Sequence, residues 1–205
     1  MSLRSKVENI WYHYKSFIIA GIFLIGTVVV SLQSCVSKPE FDIQVYYVTA
    51  SSSMYNEQLK WIEELVTSHC EDVNGDGEIT VAVTGLRVDA NTDPSERAKY
   101  MNAVQAGEVM LLFGDQGGID YLYRNGYLQQ LYDFTEDPDG EGYAWKVTGT
   151  PLFQEIAGSD VFSDHLYVSM RVFDDTWSSA RDNVKVNYTT ATNVLRSMIA
   201  FNAEE

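Results

Sequence analysis

The amino-acid sequence predicts an α/β domain with a mostly parallel sheet and helices on both faces, preceded by one transmembrane helix. Three observations lead to this prediction. Apolar runs typical of strands alternate with segments of helical periodicity between residues 41 and 126. One of these runs, Glu108–Asp115, is apolar through its centre, as in a strand buried on both faces. An uncharged stretch of about 20 residues, Phe17–Val36, precedes them and is long enough to cross a bilayer.

The uncharged stretch is predicted to be a retained membrane anchor. The predicted segments are a cytoplasmic flank at residues 1–15, a transmembrane helix at 16–36, a linker at 37–41 and an extracellular domain at 42–205. The flank carries three cations against one anion, and the positive-inside rule therefore places it in the cytoplasm. Two alternatives stay open, a lipoprotein with its lipid on Cys35 and a cleaved signal peptide, and both also place the domain beyond the membrane.

The charge of the chain excludes some partners. The 205 residues carry a formal net charge of −15, and residues 1–36 carry +2, which leaves −17 for the rest. Such an acidic body repels phosphate backbones, so a nucleic-acid partner is not expected, whereas cations are attracted. The two cysteines, Cys35 and Cys70, do not form a disulfide framework pattern.

The beginning of the domain is predicted to form a strand, a helix and a second strand. Phe41–Ala50 is rich in β-branched and aromatic residues, which predicts the first strand. Apolar residues then recur at helical spacing within Tyr55–Cys70, which predicts a helix. Glu78–Val88 predicts the second strand.

The next elements repeat this alternation. Asp93 is a predicted N-cap followed by Pro94 at the first helical position, and Gly107 is the predicted end of that helix. Glu108–Asp115 predicts the third strand, and a short helix after it is predicted to close at Gly126. Farther along the chain we expect a strand at His165–Phe173 and a terminal helix at Tyr188–Asn202.

Part of this pattern resembles a known family. The segments "FDIQVYYVTA", "ITVAV" and "VMLLFGDQGGIDYLYRNGYLQQLYDF" resemble one lobe of bacterial extracellular solute-binding proteins, which have the type II periplasmic-binding fold. The N-terminal "ENIWYHYKSFIIAGIF" resembles the anchor of uncharacterised Gram-positive surface proteins. The resemblance implies a binding function. Solute-binding proteins close two lobes over a ligand, however, and residues 42–205 have room for one.

The segment "EDVNGDGEIT" follows the pattern of the first half of a calcium loop. In an EF-hand, positions 1, 3 and 5 supply oxygen ligands, position 6 is glycine, position 7 gives a carbonyl and position 12 a glutamate. The matching residues are Asp72, Asn74, Asp76, Gly77 and Glu78, but Val83 stands at position 12. An EF-hand that opens a groove is therefore not expected.

A stabilising Ca²⁺ site remains a candidate if another segment completes this half-loop. Asp42, at the start of the first strand, is the predicted additional ligand, with Glu108 and Glu71 as alternatives. The other interpretation of the segment is a tight turn, which Asn-Gly and Asp-Gly also favour.

Polar residues follow the predicted strands at their carboxyl ends, where open α/β sheets bind ligands. The candidate ligand-binding residues are Ser51, Ser52, Ser53, Asp115, Gln116 and Gly117. Ordinary βα turns with N-caps would explain the same residues.

No catalytic motif is recognisable, so an enzyme is not expected. We expect a membrane-anchored, extracytoplasmic, non-catalytic binding or docking module that serves a small molecule or an envelope protein. A structural cell-surface protein with a stabilising calcium loop is the alternative. A serine-type hydrolase that uses the strand-edge serines is the least favoured.

Overall fold

The computed structural model describes most of the predicted domain and part of the predicted anchor. The described residues are 11, 14–15, 19–27, 41–51, 56–88, 92–135, 142–156, 158–162, 165–173 and 182–203. They divide into two compact units, residues 1–40 and 41–205.

In the first unit, residues 19–27 are helical and exposed. Within the described part of the chain, no helix is both long and apolar enough to cross a membrane. The predicted span at 16–36 lies partly outside the described residues, and Cys35 is not among the described residues.

The second unit is an α/β domain built on a five-stranded mixed sheet. Its strands are β1 (Ile43–Thr49), β2 (Val81–Arg87), β3 (Leu111–Gly114), β4 (Trp145–Lys146) and β5 (Tyr167–Met170), in the order β2-β1-β3-β5-β4. β1 pairs parallel with β2 and with β3, whereas β5 pairs antiparallel with β3 and with β4. The prediction of a mostly parallel sheet is therefore not confirmed.

Helices cover both faces of this sheet, as predicted. They are α1 (Asn56–His69), α2 (Pro94–Ala106), α3 (Gln116–Arg124), α4 (Pro151–Glu155) and α5 (Asp182–Ala203). One apolar cluster joins α1, α4 and α5 to one face, and a second joins α2 and α3 to the other. Successive strand residues point to opposite faces, so Val45 and Tyr47 belong to the first cluster and Tyr46 and Val48 to the second.

The helix caps explain where α2 begins and ends. The Asp93 side chain accepts from the Ser95 N–H at 2.8 Å, and Pro94 occupies the first turn. Gly107 adopts a left-handed conformation, φ 76°, and its N–H bonds back to the helix. The predicted cap and end of α2 are thus confirmed.

Two short elements were not expected from the sequence. β4 has two residues and α4 has five, too few to show a period. α4 still carries a clear start signal, because the Thr150 hydroxyl accepts from the Phe153 N–H and Pro151 follows.

Candidate functional site

The loop between α1 and β2 is organised by its own acidic and amide side chains. The two Asp72 carboxylate oxygens accept from Gly75 N–H at 2.6 Å and Gly77 N–H at 2.9 Å. Asn74 accepts from the Asp76 N–H, and Asp76 accepts from the Glu78 N–H, both at 2.9 Å. The three predicted ligand positions therefore hold a tight turn in which Gly75 and Gly77 take positive φ angles of 75° and 89°.

Asp42 binds this loop from the start of β1. One carboxylate oxygen accepts from the Val73 and Asn74 N–H groups at 2.8 and 3.1 Å, and the other accepts from the Thr80 N–H at 2.7 Å. Burial alone would raise the pKa of Asp42, but these backbone N–H groups hold it below its usual value. Asp42 therefore lies against the loop as an ionised carboxylate.

The predicted metal ligands thus lie in the loop between α1 and β2 and at Asp42, which is hydrogen-bonded to that loop. Asp72, Asn74 and Asp76 are exposed, and the Asn74 amide donates to Asp76 at 3.0 Å. In the described residues, no group of three or more His, Cys, Asp or Glu side chains is placed to hold a metal ion. The loop's oxygens come instead from two aspartates, an asparagine and the backbone, a mixture that suits a hard cation.

At the carboxyl ends of the parallel strands, both side-chain oxygens of Asp115 accept hydrogen bonds from within the protein. One oxygen accepts from the Gly118 N–H at 2.7 Å, as the N-cap of α3, and from the Ala50 N–H at 3.2 Å. The other accepts from the buried Thr49 hydroxyl. The Asp115 side chain therefore joins the ends of β1 and β3.

The glycines beside Asp115 allow close packing. A Cβ at Gly118 would lie 1.9 Å from the Val48 carbonyl oxygen, and one at Gly117 would lie 2.5 Å from the Ala50 Cβ. α3 can rest on the end of β1 only because these side chains are absent.

The other predicted ligand residues are only partly described. Gln116 is exposed and donates to Asp120 at 2.9 Å. The Ser51 N–H bonds to the Thr49 hydroxyl at 3.0 Å. Ser52 and Ser53 lie outside the described residues.

A groove that the sequence did not predict runs along α1, α4 and α5. A cleft of about 250 Å³ lies between the last turn of α1 and α5. A neighbouring hollow of about 360 Å³ shares Ser68 and His69 with it. The groove is lined by Glu64, Ser68, His69, Glu155, Ser197 and Phe201. It mixes carboxylate, hydroxyl, imidazole and aromatic groups on an open surface.

His69 stands at the centre of this groove and joins two helices. Its Nδ1 lies 2.9 Å from the Ser197 hydroxyl oxygen, and its ring packs edge-on against Phe201 at 5.8 Å. Burial lowers the pKa of His69, and the negative charge of Glu155 opposes this only in part. A neutral imidazole is thus favoured at this contact.

Cys70 forms part of the cleft wall but is a poor nucleophile. Its side chain is 7% exposed, and the thiol donates to the Glu71 carbonyl at 3.4 Å. Burial, together with the nearby charge of Asp42, raises its pKa to about 11. The thiolate, which is the reactive form, is therefore scarce at neutral pH.

Local sequence signals could not have found this groove. Its residues come from three helices that are separated along the chain, and contact between them depends on how each helix packs on the sheet.

Comparison of the chain with protein-family models, with curated proteins and with solved structures gives no match.

Proposed function

We propose that the chain is a membrane-anchored, extracytoplasmic, non-catalytic docking module related to the solute-binding proteins, and that its partner is an envelope protein. The groove along α1, α4 and α5 supports this proposal most directly, because it is concave, open and lined by both charged and aromatic side chains. Small-molecule sites usually enclose most of their ligand. An open groove is better suited to a segment of another protein.

The charge of the groove indicates the chemistry of the partner. Glu64 and Glu155 line the hollow beside Phe201, and Glu71 lines the adjoining cleft. The chain beyond residue 36 carries a net charge of −17. A basic segment with an apolar or aromatic residue would complement this surface and would be steered to it by the acidic body.

The polar residues at the carboxyl ends of β1 and β3 support docking of a protein over binding of a small ligand. Both Asp115 oxygens accept bonds from Thr49, Ala50 and Gly118, and Gln116 is bonded to Asp120. Polar groups already paired within the protein offer less to a ligand.

Photo-crosslinking in native cell envelopes tests the proposal. The full chain would carry a photoreactive amino acid at Ser68, in the groove, or at exposed Asn102 on α2, which packs on the other face of the sheet. We expect one adduct of defined mass from Ser68, none from Asn102, and loss of the adduct in Glu64→Lys/Glu155→Lys. Equal adducts from both positions, or none from Ser68, would contradict docking in the groove.

The location of the domain is tested separately. A Cys35→Ser/Asn102→Cys chain would be treated in intact cells with a membrane-impermeant maleimide. Labelling is expected, because Asn102 is exposed and we place the domain outside the cell. Labelling only after cell lysis would contradict the extracytoplasmic location. Docking in the groove would still be tested by the crosslinking experiment.

A second candidate function is a structural surface protein stabilised by Ca²⁺, which the loop geometry favours. Asp72, Asn74 and Asp76 occupy the spacing of calcium ligands, and Asp42 holds the loop in place. Thermal unfolding with calcium and with chelator distinguishes this candidate from a plain turn.

A further inference from the structure

The two edges of the sheet differ in how they are protected. β4, at one edge, has only two residues and carries Lys146. β2, at the other edge, has seven residues and no charged side chain before Arg87. Short strands and lysines are common protections against pairing with another chain, and β2 has neither. Of the two edge strands, β2 is therefore the one less protected against pairing with a further strand.

The hydrogen bonds of the sheet show which backbone groups face outward. The Val88 N–H donates to the Thr49 carbonyl at 2.9 Å, and Arg87 is opposite Thr49 in the parallel register. Alternate residues of a strand bond to the same neighbour, so Ala82, Thr84 and Leu86 bond to β1. Val83 and Gly85 thus direct their N–H and C=O groups away from β1.

These outward groups belong to partly exposed residues. Val83 and Gly85 are half-buried, and within the described parts of the chain no backbone bond outside the β1 ladder reaches either residue. Unpaired groups in a row of this kind form a template for strand addition.

Charge complementarity identifies the strand that fits. β2 ends at exposed Arg87 and is preceded by the exposed acidic residues Asp72, Asp76 and Glu78. When two copies of such a strand run antiparallel, the basic end of each lies beside the acidic end of the other. A parallel pairing would place like charges together.

We propose that β2 pairs antiparallel with β2 of a second copy of this chain, about a two-fold axis at Val83. Val83 is then opposite Val83 of the other copy, Val81 is opposite Gly85, and Arg87 is opposite Ile79, one residue from Glu78. About six backbone hydrogen bonds form across the axis, and two five-stranded sheets become one. The pairing requires neither the membrane anchor nor the groove.

A charge exchange across the axis tests this pairing. The full chain in detergent micelles would be measured by light scattering for protein mass between about 1 and 100 µM, at about 0.15 M salt so that the overall negative charge is screened. We expect a concentration-dependent dimer for the natural sequence. Arg87→Glu is expected to weaken it by about tenfold, because like charges then meet at both ends of the paired strands. Arg87→Glu/Glu78→Arg is expected to restore it.

Backbone protection provides a measurement that another dimer would not reproduce. Hydrogen exchange at the Val83 and Gly85 amides is expected to slow with rising protein concentration, while the Thr84 amide, bonded to β1, changes little. Val83→Pro removes an outward N–H and leaves the β1 ladder intact, and it is expected to give a folded monomer.

The proposal is overturned if the chain stays monomeric throughout this range. It is equally overturned if a dimer forms with the same affinity in the natural sequence and in both charge variants. The same holds if the Val83 and Gly85 amides exchange as fast in the dimer as in the monomer.

Discussion

Asp42 is the residue on which the geometry of the loop between α1 and β2 depends most. Its carboxylate accepts three backbone N–H groups at 2.7–3.1 Å and is 6% exposed. Asp42→Ala leaves these donors without their acceptor. We expect a loss of about 2–4 kcal/mol in the free energy of unfolding, measured by urea denaturation. Asp133→Ala, at an exposed carboxylate, is the control and is expected to stay within about 0.5 kcal/mol of the natural sequence.

The pH dependence of stability gives a second measurement on Asp42. Because the pKa of Asp42 in the folded protein is below its unfolded value, its contribution is present above about pH 4 and is lost as the pH falls through the folded pKa. Asp42→Asn should therefore lose less stability in acid than the natural sequence does. An unchanged acid profile would show that the Asp42 carboxylate does not need its charge.

Sequence reasoning at single residues succeeded where the signal was local. Asp93 and Gly107 were predicted as a cap and a helix end from their immediate neighbours, and both predictions are confirmed. The partners of Asp42 and Asp115 lie tens of residues away, so the sequence could nominate these carboxylates but could not identify their bonds. The predictions that Asp42 binds calcium and that Asp115 binds a ligand stay predictions.

The packing of α5 against α1 is expected to weaken in acid through His69. The pKa of His69 is lowered in the folded protein, so the unfolded chain binds a proton more readily. Stability from this contact is complete above about pH 6.5 and is lost as the pH falls below it. Between about pH 7 and 5, the natural sequence should lose more stability than His69→Gln, as measured by thermal unfolding.

A matched variant separates this effect from loss of the Ser197 contact. Ser197→Ala removes the hydroxyl but keeps the titrating imidazole, so its pH dependence should stay close to that of the natural sequence. If His69→Gln and the natural sequence have parallel profiles between pH 7 and 5, His69 does not titrate in this range.

At the scale of elements, the periodicity of apolar residues predicted the longer helices and strands but not the shortest ones. Four strands and four helices fall within or overlap the segments expected for them, and α5 begins earlier than expected, at Asp182. The direction of β5 could not be read from its own residues, because a buried strand has the same apolar pattern in a parallel or antiparallel pair. β4 and α4 were missed because two and five residues do not show a period.

At the scale of the whole molecule, the acidic charge affects each of the proposed interactions. A net charge of −17 beyond residue 36 attracts cations and basic partners, but it repels a second copy of the same chain. Self-pairing through β2 therefore needs the local contact between Arg87 and the acidic loop, and it should strengthen as salt screens the wider repulsion. The same loop is the candidate calcium site, so a bound cation would reduce the repulsion at that end of β2.

Calcium is expected to stabilise the entire domain, because the loop joins α1 to β2 and is bonded to Asp42 at the start of β1. For a weak extracellular site, about 2 mM Ca²⁺ should add about 1–2 kcal/mol to the free energy of unfolding and raise the melting temperature by a few degrees. Asp72→Asn/Asp76→Asn is the control, since each amide oxygen still accepts one backbone N–H group but carries no charge, and one of the two N–H groups bonded to Asp72 loses its acceptor. Its melting temperature should be the same in calcium and in chelator. If the natural sequence also melts at one temperature in both, the loop is a turn that needs no metal.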